Sequence, residues 1–294
     1  MNYDAQLRAK EAAVRDQMTR VAGLKDPPLR PILPAPEPYG YRAETALFPA
    51  DEGGLGYWSP VERRIFRVEE CPILHPALEA ALPDLDVELP GLRRLTLRLG
   101  DDEELLAALE TEDVEPPELA VDFPVSVAIV LPDRTAASLI GDPYLLRTLG
   151  GREFRFSPGV AYPTNPAMAE LLAATILELA QIPPEDSVLE SPGGAGWLTA
   201  ALAGRAGSVI AVEPNPDAVA DAAGCGRLAG RVAARGGGAI PGGVPAAGAA
   251  APAAACHHHR RGGCAGQGRQ AAGEDWVSAG GDSAGGHRPA IIPD

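Results

Sequence analysis

Two carboxylates and two glycines between residues 187 and 216 have the types and the spacing to do chemistry. Glu190 closes the short apolar run Ser187–Glu190, and Gly194 and Gly196 follow it in a tight turn. Trp197 to Ala203 fits a helix that starts at this turn, Val209 to Val212 reads as a second, buried strand, and Glu213 closes it. Glycine has no Cβ, so the backbone can turn sharply there and approach a ligand. An acid at the end of the second strand of a βαβ unit can accept both hydroxyls of a ribose. Strand, glycine turn, helix, strand and terminal acid together indicate a cofactor of the adenosine type. The alternative is an α/β crossover whose glycines serve packing alone.

The turn also selects among adenosine cofactors. A dinucleotide needs its pyrophosphate seated on the helix N-terminus, usually over three spaced glycines. Here Pro192 replaces the first of these, and Glu190 precedes the turn. A carboxylate in that place repels a pyrophosphate and suits the cationic amino-acid end of S-adenosylmethionine. The residues therefore favour a methyl donor over NAD.

The rest of the chain must position this turn. Its 294 residues can hold two modest domains, and a hydrophobic content of 46% allows a core. No run is long and apolar enough for a membrane span, and the N-terminus does not read as a signal peptide, so a cytoplasmic protein is expected. Four scattered cysteines suggest no disulfide framework. A net charge of −15 opposes a simple nucleic-acid binder and gives no reason to expect DNA as a partner. The charge is uneven: Asp101 to Asp122 has many carboxylates and no Lys or Arg, and reads as a solvated face or loop. Basic residues gather in 8–30, 42–67, 93–98 and 147–155.

Residues 4–22 form the clearest helix, with Leu7, Val14, Met18 and Val21 at helical spacing and a basic solvated side; the apolar stripe is expected to face a core. An RNA-contacting face is the secondary reading. Residues 27–38 are proline-rich and extended. Alternating apolar residues around Asp51–Gly54 indicate a hairpin, and Arg63 to Val68 a third strand. Cys71-Pro72 opens a short helix, and Leu92 to Leu99 and Val125 to Leu131 are further strands. The span 39–140 thus reads as mostly antiparallel α+β. Arg152 to Phe156 is a strand, and Ala167 to Ala180 an apolar helix leading into the glycine-turn unit. After Ala223 the chain is mostly Gly, Ala, Pro and Arg, shows no further strand and is expected to be disordered. The organisation expected is an N-terminal helix (1–26), an α+β central domain (27–156), to which the resemblance described next assigns RNA recognition, a partial Rossmann-like domain (157–223) and a tail (224–294).

On these residues the chain resembles the S-adenosylmethionine-dependent RNA (uracil-5-)methyltransferase family over roughly 1–223. Tyr41-Arg42, Leu55-Gly56-Tyr57 and Glu70-Cys71-Pro72-Ile73-Leu74-His75-Pro76 are similar to the family's central domain. Leu149-Gly150-Gly151, Ser157-Pro158-Gly159 and Asn165 are similar to its entry into the catalytic domain. Glu190 to Gly196 and Val212-Glu213-Pro214-Asn215-Pro216 resemble its cofactor motifs. The resemblance implies a Rossmann-like class I methyltransferase domain, apparently incomplete, preceded by an α+β domain. It implies S-adenosyl-L-methionine as cofactor, ribosomal or transfer RNA as partner, and methylation of uridine at carbon 5. It points to Gly194, Gly196 and Glu213 as cofactor contacts, with Glu190 and Asn165 behind them.

The departures from the family pattern are specific. Pro163 stands where the family offers a Gln, Pro192 where its turn has an aromatic, Trp197 where it has a small or amide residue, and Glu190 where it has Asp. The family's enzymes add a cysteine thiolate to carbon 6 of uracil so that carbon 5 can take the methyl group, and a base then removes the carbon-5 proton. No such Cys, Glu or Asp-Pro-Pro-Arg motif is recognisable after residue 224, so no catalytic residue is named; Asp26-Pro27-Pro28-Leu29-Arg30 matches in letters only. Cys71 stands at the fourth ligand position of the family's iron–sulfur members, without the other three cysteines, and is expected to be a free thiol rather than a cluster ligand. In the tail, Cys256, His257, His258, His259 and Cys264 are zinc-ligand types at a spacing that matches no familiar site. The tail's composition is what an out-of-frame reading of a G+C-rich gene would yield. The expectation is a truncated or degenerate relative of the family; alternatives are a non-catalytic RNA- or protein-binding module, a dinucleotide-binding enzyme, or a gene fragment.

Overall fold

Glu44–Pro49 (β1), whose burial alternates along most of its length, Leu55–Ser59 (β2) and Arg64–Arg67 (β3) build one edge of a seven-stranded sheet. The computed structural model describes residues 2–51, 53–85, 87, 89–112, 123–131, 136–224 and the backbone of 232–235. Leu92–Leu99 (β4), Leu105–Thr111 (β5), Ser126–Val130 (β6) and Ala136–Ile140 (β7) complete the sheet in the order β3-β2-β1-β4-β5-β6-β7. All neighbours are antiparallel except β5 and β6.

Register sorts the side chains of this sheet into two faces. Phe48 opposes Gly56, Trp58 opposes Ile65, Gly56 opposes Arg67, and Glu44 opposes Arg98, so these residues share one face. Thr45, Leu47, Tyr57, Leu95 and Leu97 lie on the other, where Leu47, Leu95 and Leu97 are fully buried. The short helix Pro76–Ala81 (α2) packs there through Leu78. It begins at Pro76 rather than at Cys71-Pro72, because His75 caps it: Nδ1 accepts from the Ala77 amide at 3.3 Å.

Leu145–Leu149 (β8) and Arg152–Phe156 (β9) form a separate hairpin whose two-residue loop, Gly150-Gly151, has positive φ at both positions. The chain then crosses through 157–165 into the helix Pro166–Ala180 (α3). Ser187–Glu190 (β10), Trp197–Ala203 (α4), Ser208–Val212 (β11), Pro216–Gly224 (α5) and Val232–Arg235 (β12) follow as a parallel βαβαβ unit in the order β10-β11-β12. One cluster of buried residues runs from Leu47 and Leu97 through Phe156 and Tyr162 to Ala195, Ala200 and Ala218, so the large sheet and the parallel unit share a core. Val188, Val209 and Leu202 pack with Ile176 and Leu177 of α3 in a second cluster.

Four expectations are corrected. The N-terminal helix runs as α-helix over Tyr3–Asp16 (α1) and as a π-turn over Gln17–Val21, and none of its residues is buried; Val14, Met18 and Val21 are exposed rather than core-facing. The acidic stretch after Asp101 contains β5, an interior strand whose Leu106 to Leu109 are buried; residues 113–122 lie outside the described residues. β11 is buried on one face only: Val209 is inside, whereas Ile210, paired with the exposed Leu189 of β10, is 38% exposed. A strand does occur after residue 224, because β11 offers a free ladder edge and β12 pairs with it over Val209 to Val212. Apart from Gly224, which ends α5, and those four residues, the tail expectation lies outside the described residues.

Candidate functional site

Glu213 follows the last residue of β11 and turns back against the glycine turn after β10. Its Oε2 accepts from the Gly194 amide at 2.8 Å, and its Oε1 from the Asn215 amide at 2.8 Å. Glu213 is 8% exposed, and these two donors leave lone pairs on both oxygens. The turn is shaped to sit close to its neighbours. Gly194 has φ +55° and open space where a Cβ would be. Gly196 has φ +83°, and a Cβ there would stand 3.0 Å from the Ala222 Cβ. Gly193 faces Ala211 at 2.9 Å in the same sense, and the Ser191–Pro192 peptide is cis. Gly196 leads directly into α4, as the strand–turn–helix pattern requires.

Glu190 lies on the same turn, at the end of β10. The Thr199 hydroxyl, itself buried on α4, donates to its Oε2. Burial pushes the Glu190 carboxyl above the usual carboxylate range, and the Thr199 hydrogen bond opposes the shift. Asn165 is used locally: its Oδ1 accepts from the Met168 amide at 3.1 Å and caps α3. The structure thus joins Glu213 to Gly194 by a hydrogen bond, sets Glu190 and Gly196 on the same turn, and places Asn165 in a helix cap.

Several contacts that hold this arrangement escape a reading of the sequence. Asn215 donates from Nδ2 to the Gly159 carbonyl at 3.0 Å, tying the strand-end acid to the 157–165 crossing. Asp221 of α5 is fully buried; the Ser157 amide donates to its Oδ2 at 2.6 Å and the Ser157 hydroxyl to its Oδ1 at 2.8 Å. Arg155 Nε stands 2.9 Å from Asp221 Oδ1 as an ion pair without hydrogen-bond alignment. Burial pushes the Asp221 carboxyl up, against the pull of Ser157 and Arg155. From the sheet side, buried Arg98 donates to the carbonyls of Ser157 at 2.9 Å and Val160 at 2.7 Å, and its Nε to Glu44 at 2.7 Å. Arg147 donates to the Tyr162 hydroxyl at 2.9 Å and to Asp101 at 3.1 Å. The 157–162 segment is therefore gripped by the large sheet on one side and by the parallel unit on the other. Arg98 and Asp221 stand about 60 residues from Ser157 in sequence, and no local motif marks either of them.

Among the described residues no group of three or more His, Cys, Asp or Glu could hold a metal ion, and no helix is long and apolar enough to cross a membrane. Cys71 is a free thiol. It neighbours the Tyr57 hydroxyl, which shares a 2.8 Å hydrogen bond with Thr45. Cys256, His257, His258, His259 and Cys264 lie outside the described residues.

No family model matches the chain. An uncharacterised RNA methyltransferase of Bacillus cereus is 29% identical over 257 residues, covering 76% of this chain and 56% of the relative. Another from Halalkalibacterium halodurans is 28% identical over 266 residues, covering 78% and 58%. The 23S rRNA (uracil(1939)-C(5))-methyltransferase RlmD of Pectobacterium carotovorum is 30% identical over 224 residues, covering 71% and 49%. The chain therefore spans a little over half the length of the first two relatives and about half of the third. Among solved structures, the tRNA (uracil-54, C5)-methyltransferase of Pyrococcus abyssi, crystallised with S-adenosyl-L-homocysteine, matches with a TM-score of 0.55 and 22% identity over 76% of this chain and 59% of that one. The parallel unit is a Rossmann-like methyltransferase fold preceded by an α+β sheet domain. With its glycine turn, its strand-end acid and these matches, the chain is a relative of RNA methyltransferases, the uracil-C5 enzyme RlmD among them.

Proposed function

We propose that the chain carries the cofactor-binding and RNA-binding parts of an S-adenosylmethionine-dependent methylation of uridine carbon 5 in ribosomal or transfer RNA, in the cytoplasm. The observation that carries this reading is the placement of Glu213. A strand-end carboxylate, nearly buried and fixed by two backbone amides against the glycine turn, presents its remaining lone pairs where a ribose can meet them. When bound, S-adenosylmethionine supplies the electrophilic methyl group. In this reading Glu213 accepts from the ribose hydroxyls, and Gly194 and Gly196 let the backbone lie close to the ligand. Glu190, oriented by Thr199, faces the cationic amino-acid end, and a bound cation there would lower its raised pKa. Asn165 contributes by setting the start of α3.

Calorimetric titration of the full chain with S-adenosylhomocysteine tests this. Saturable binding is expected. Glu213→Gln, which keeps the shape of the side chain, should weaken it about tenfold or more, since a hydrogen bond to a charged group contributes about 1.5–3 kcal/mol. A folded protein that does not bind the ligand overturns the cofactor assignment. If it still binds RNA, it is a non-catalytic RNA-binding module.

A further inference from the structure

The edge of the large sheet carries an exposed tryptophan among arginines. Trp58 on β2 is 52% exposed, and its cross-strand partner Ile65 is half-buried. Arg67, two residues along β3 on the same face, is exposed, and Phe48 continues that face onto β1. The β2–β3 turn presents exposed Arg63, at φ +55°, beside exposed Val61. Between Ser59 and Arg67 three arginines stand against one glutamate, in a chain whose net charge is −15. Arg64 is partly spent, paired with Glu62 at 3.0 Å and stacked over Phe66 at 4.1 Å on the opposite face.

Resting on the RNA reading above, we propose that the Phe48–Trp58–Ile65–Arg67 face, with Arg63 at its rim, is a platform for single-stranded RNA, on which one unpaired base stacks against Trp58 while Arg67 and Arg63 meet flanking phosphates. Three observations choose this occupant. A large exposed aromatic on a sheet surface suits an unstacked base, which every single strand can offer and a duplex cannot. A polyanion is repelled by most of this acidic chain, so its contacts must fall where positive charge is locally in excess, as it is here. The face is also continuous with Arg98, whose guanidinium holds the Ser157 and Val160 carbonyls. RNA lying on Trp58 therefore runs along the same sheet surface that meets the segment tied to Asn215 and Glu213. Val14 and Met18 on α1 and the Leu189–Ile210 pair are also exposed but offer no aromatic ring, and Tyr39, which does, lies outside the strands of the sheet.

The test is fluorescence anisotropy of the full chain with a labelled, uridine-containing stem–loop RNA and with the corresponding blunt duplex. The wild type should prefer the stem–loop. Trp58→Ala should weaken stem–loop binding about tenfold, Trp58→Phe should restore most of it, and neither should change duplex binding. Arg67→Ala should reduce the slope of log K against log salt by about 0.7, the value for one phosphate contact on a single strand. Arg30→Ala, which removes a remote exposed pair with Glu178, serves as the control. Thermal midpoints within about 2 °C of wild type confirm that folding is intact. If the wild type binds stem–loop RNA and the Trp58 and Arg67 variants bind it equally well, this placement is wrong and the RNA reading survives. If the wild type binds neither RNA, the RNA reading fails and this inference fails with it.

Discussion

Glu190 and Glu213 stand at the ends of neighbouring parallel strands and meet opposite surroundings. Glu213 receives two backbone amides, whereas Glu190 receives one hydroxyl and is pushed up by burial. Because its pKa is raised in the folded state, the folded protein holds more protons than the unfolded chain between the ordinary and the raised value. The cost of burying this carboxylate is therefore absent below the ordinary carboxylate range and complete above the raised pKa. Glu190→Gln removes the charge and can still accept from Thr199. Its thermal midpoint at pH 7 should lie above that of the wild type, with the gap closing as pH falls through the carboxylate range. A wild type that is the more stable of the two at pH 7 would sink this account. At this scale the sequence was legible where chemistry is local: a strand-end acid about 20 residues past a glycine turn announces itself. Asp221 and Arg98 do not, because each gains its meaning from Ser157, which lies 64 residues from one and 59 from the other.

Strands whose two faces differ were readable. β4, β9 and β10 match their expected bounds, as does α4 with Gly196 before it. β5 was hidden because flanking acids mask a short apolar run, and its burial comes from strands on both sides rather than from its own pattern. β12 was hidden for a related reason: Val-Ala-Ala-Arg has little strand propensity, and the β11 edge decides its conformation. α1 errs in the other direction. Its apolar spacing is helical, and it does form a helix, capped by Asn2, yet periodicity cannot say whether a partner covers the stripe. Since none of its residues is buried, Val14→Ser and Met18→Ser should each shift unfolding free energy by no more than about 0.5 kcal/mol in a urea melt. A loss several times larger would show that the stripe packs against something.

Among the described residues, the large sheet and the parallel unit are joined at the 157–162 segment. Arg98 reaches it from the large sheet, Asp221 from α5 and Asn215 from the turn after β11, over a core common to both parts. Arg98→Ala would leave Glu44 and two carbonyls without their donor, at a cost of about 3 kcal/mol. Calorimetry should show one transition in the wild type, lowered in the variant by about 10 °C and still single. Two separated transitions would mean that the sheet and the parallel unit unfold independently. The same grip bears on how a ligand arrives. A clamshell that opens and shuts between sheet and parallel unit would have to break either the Arg98 or the Asp221 bonds in every cycle, and each set is buried. A ligand that met the glycine turn without such an opening would reach it by diffusion and local loop motion rather than through a hinge. Differences in affinity among related ligands there would then be expected in how fast each leaves, not in the opening of a door.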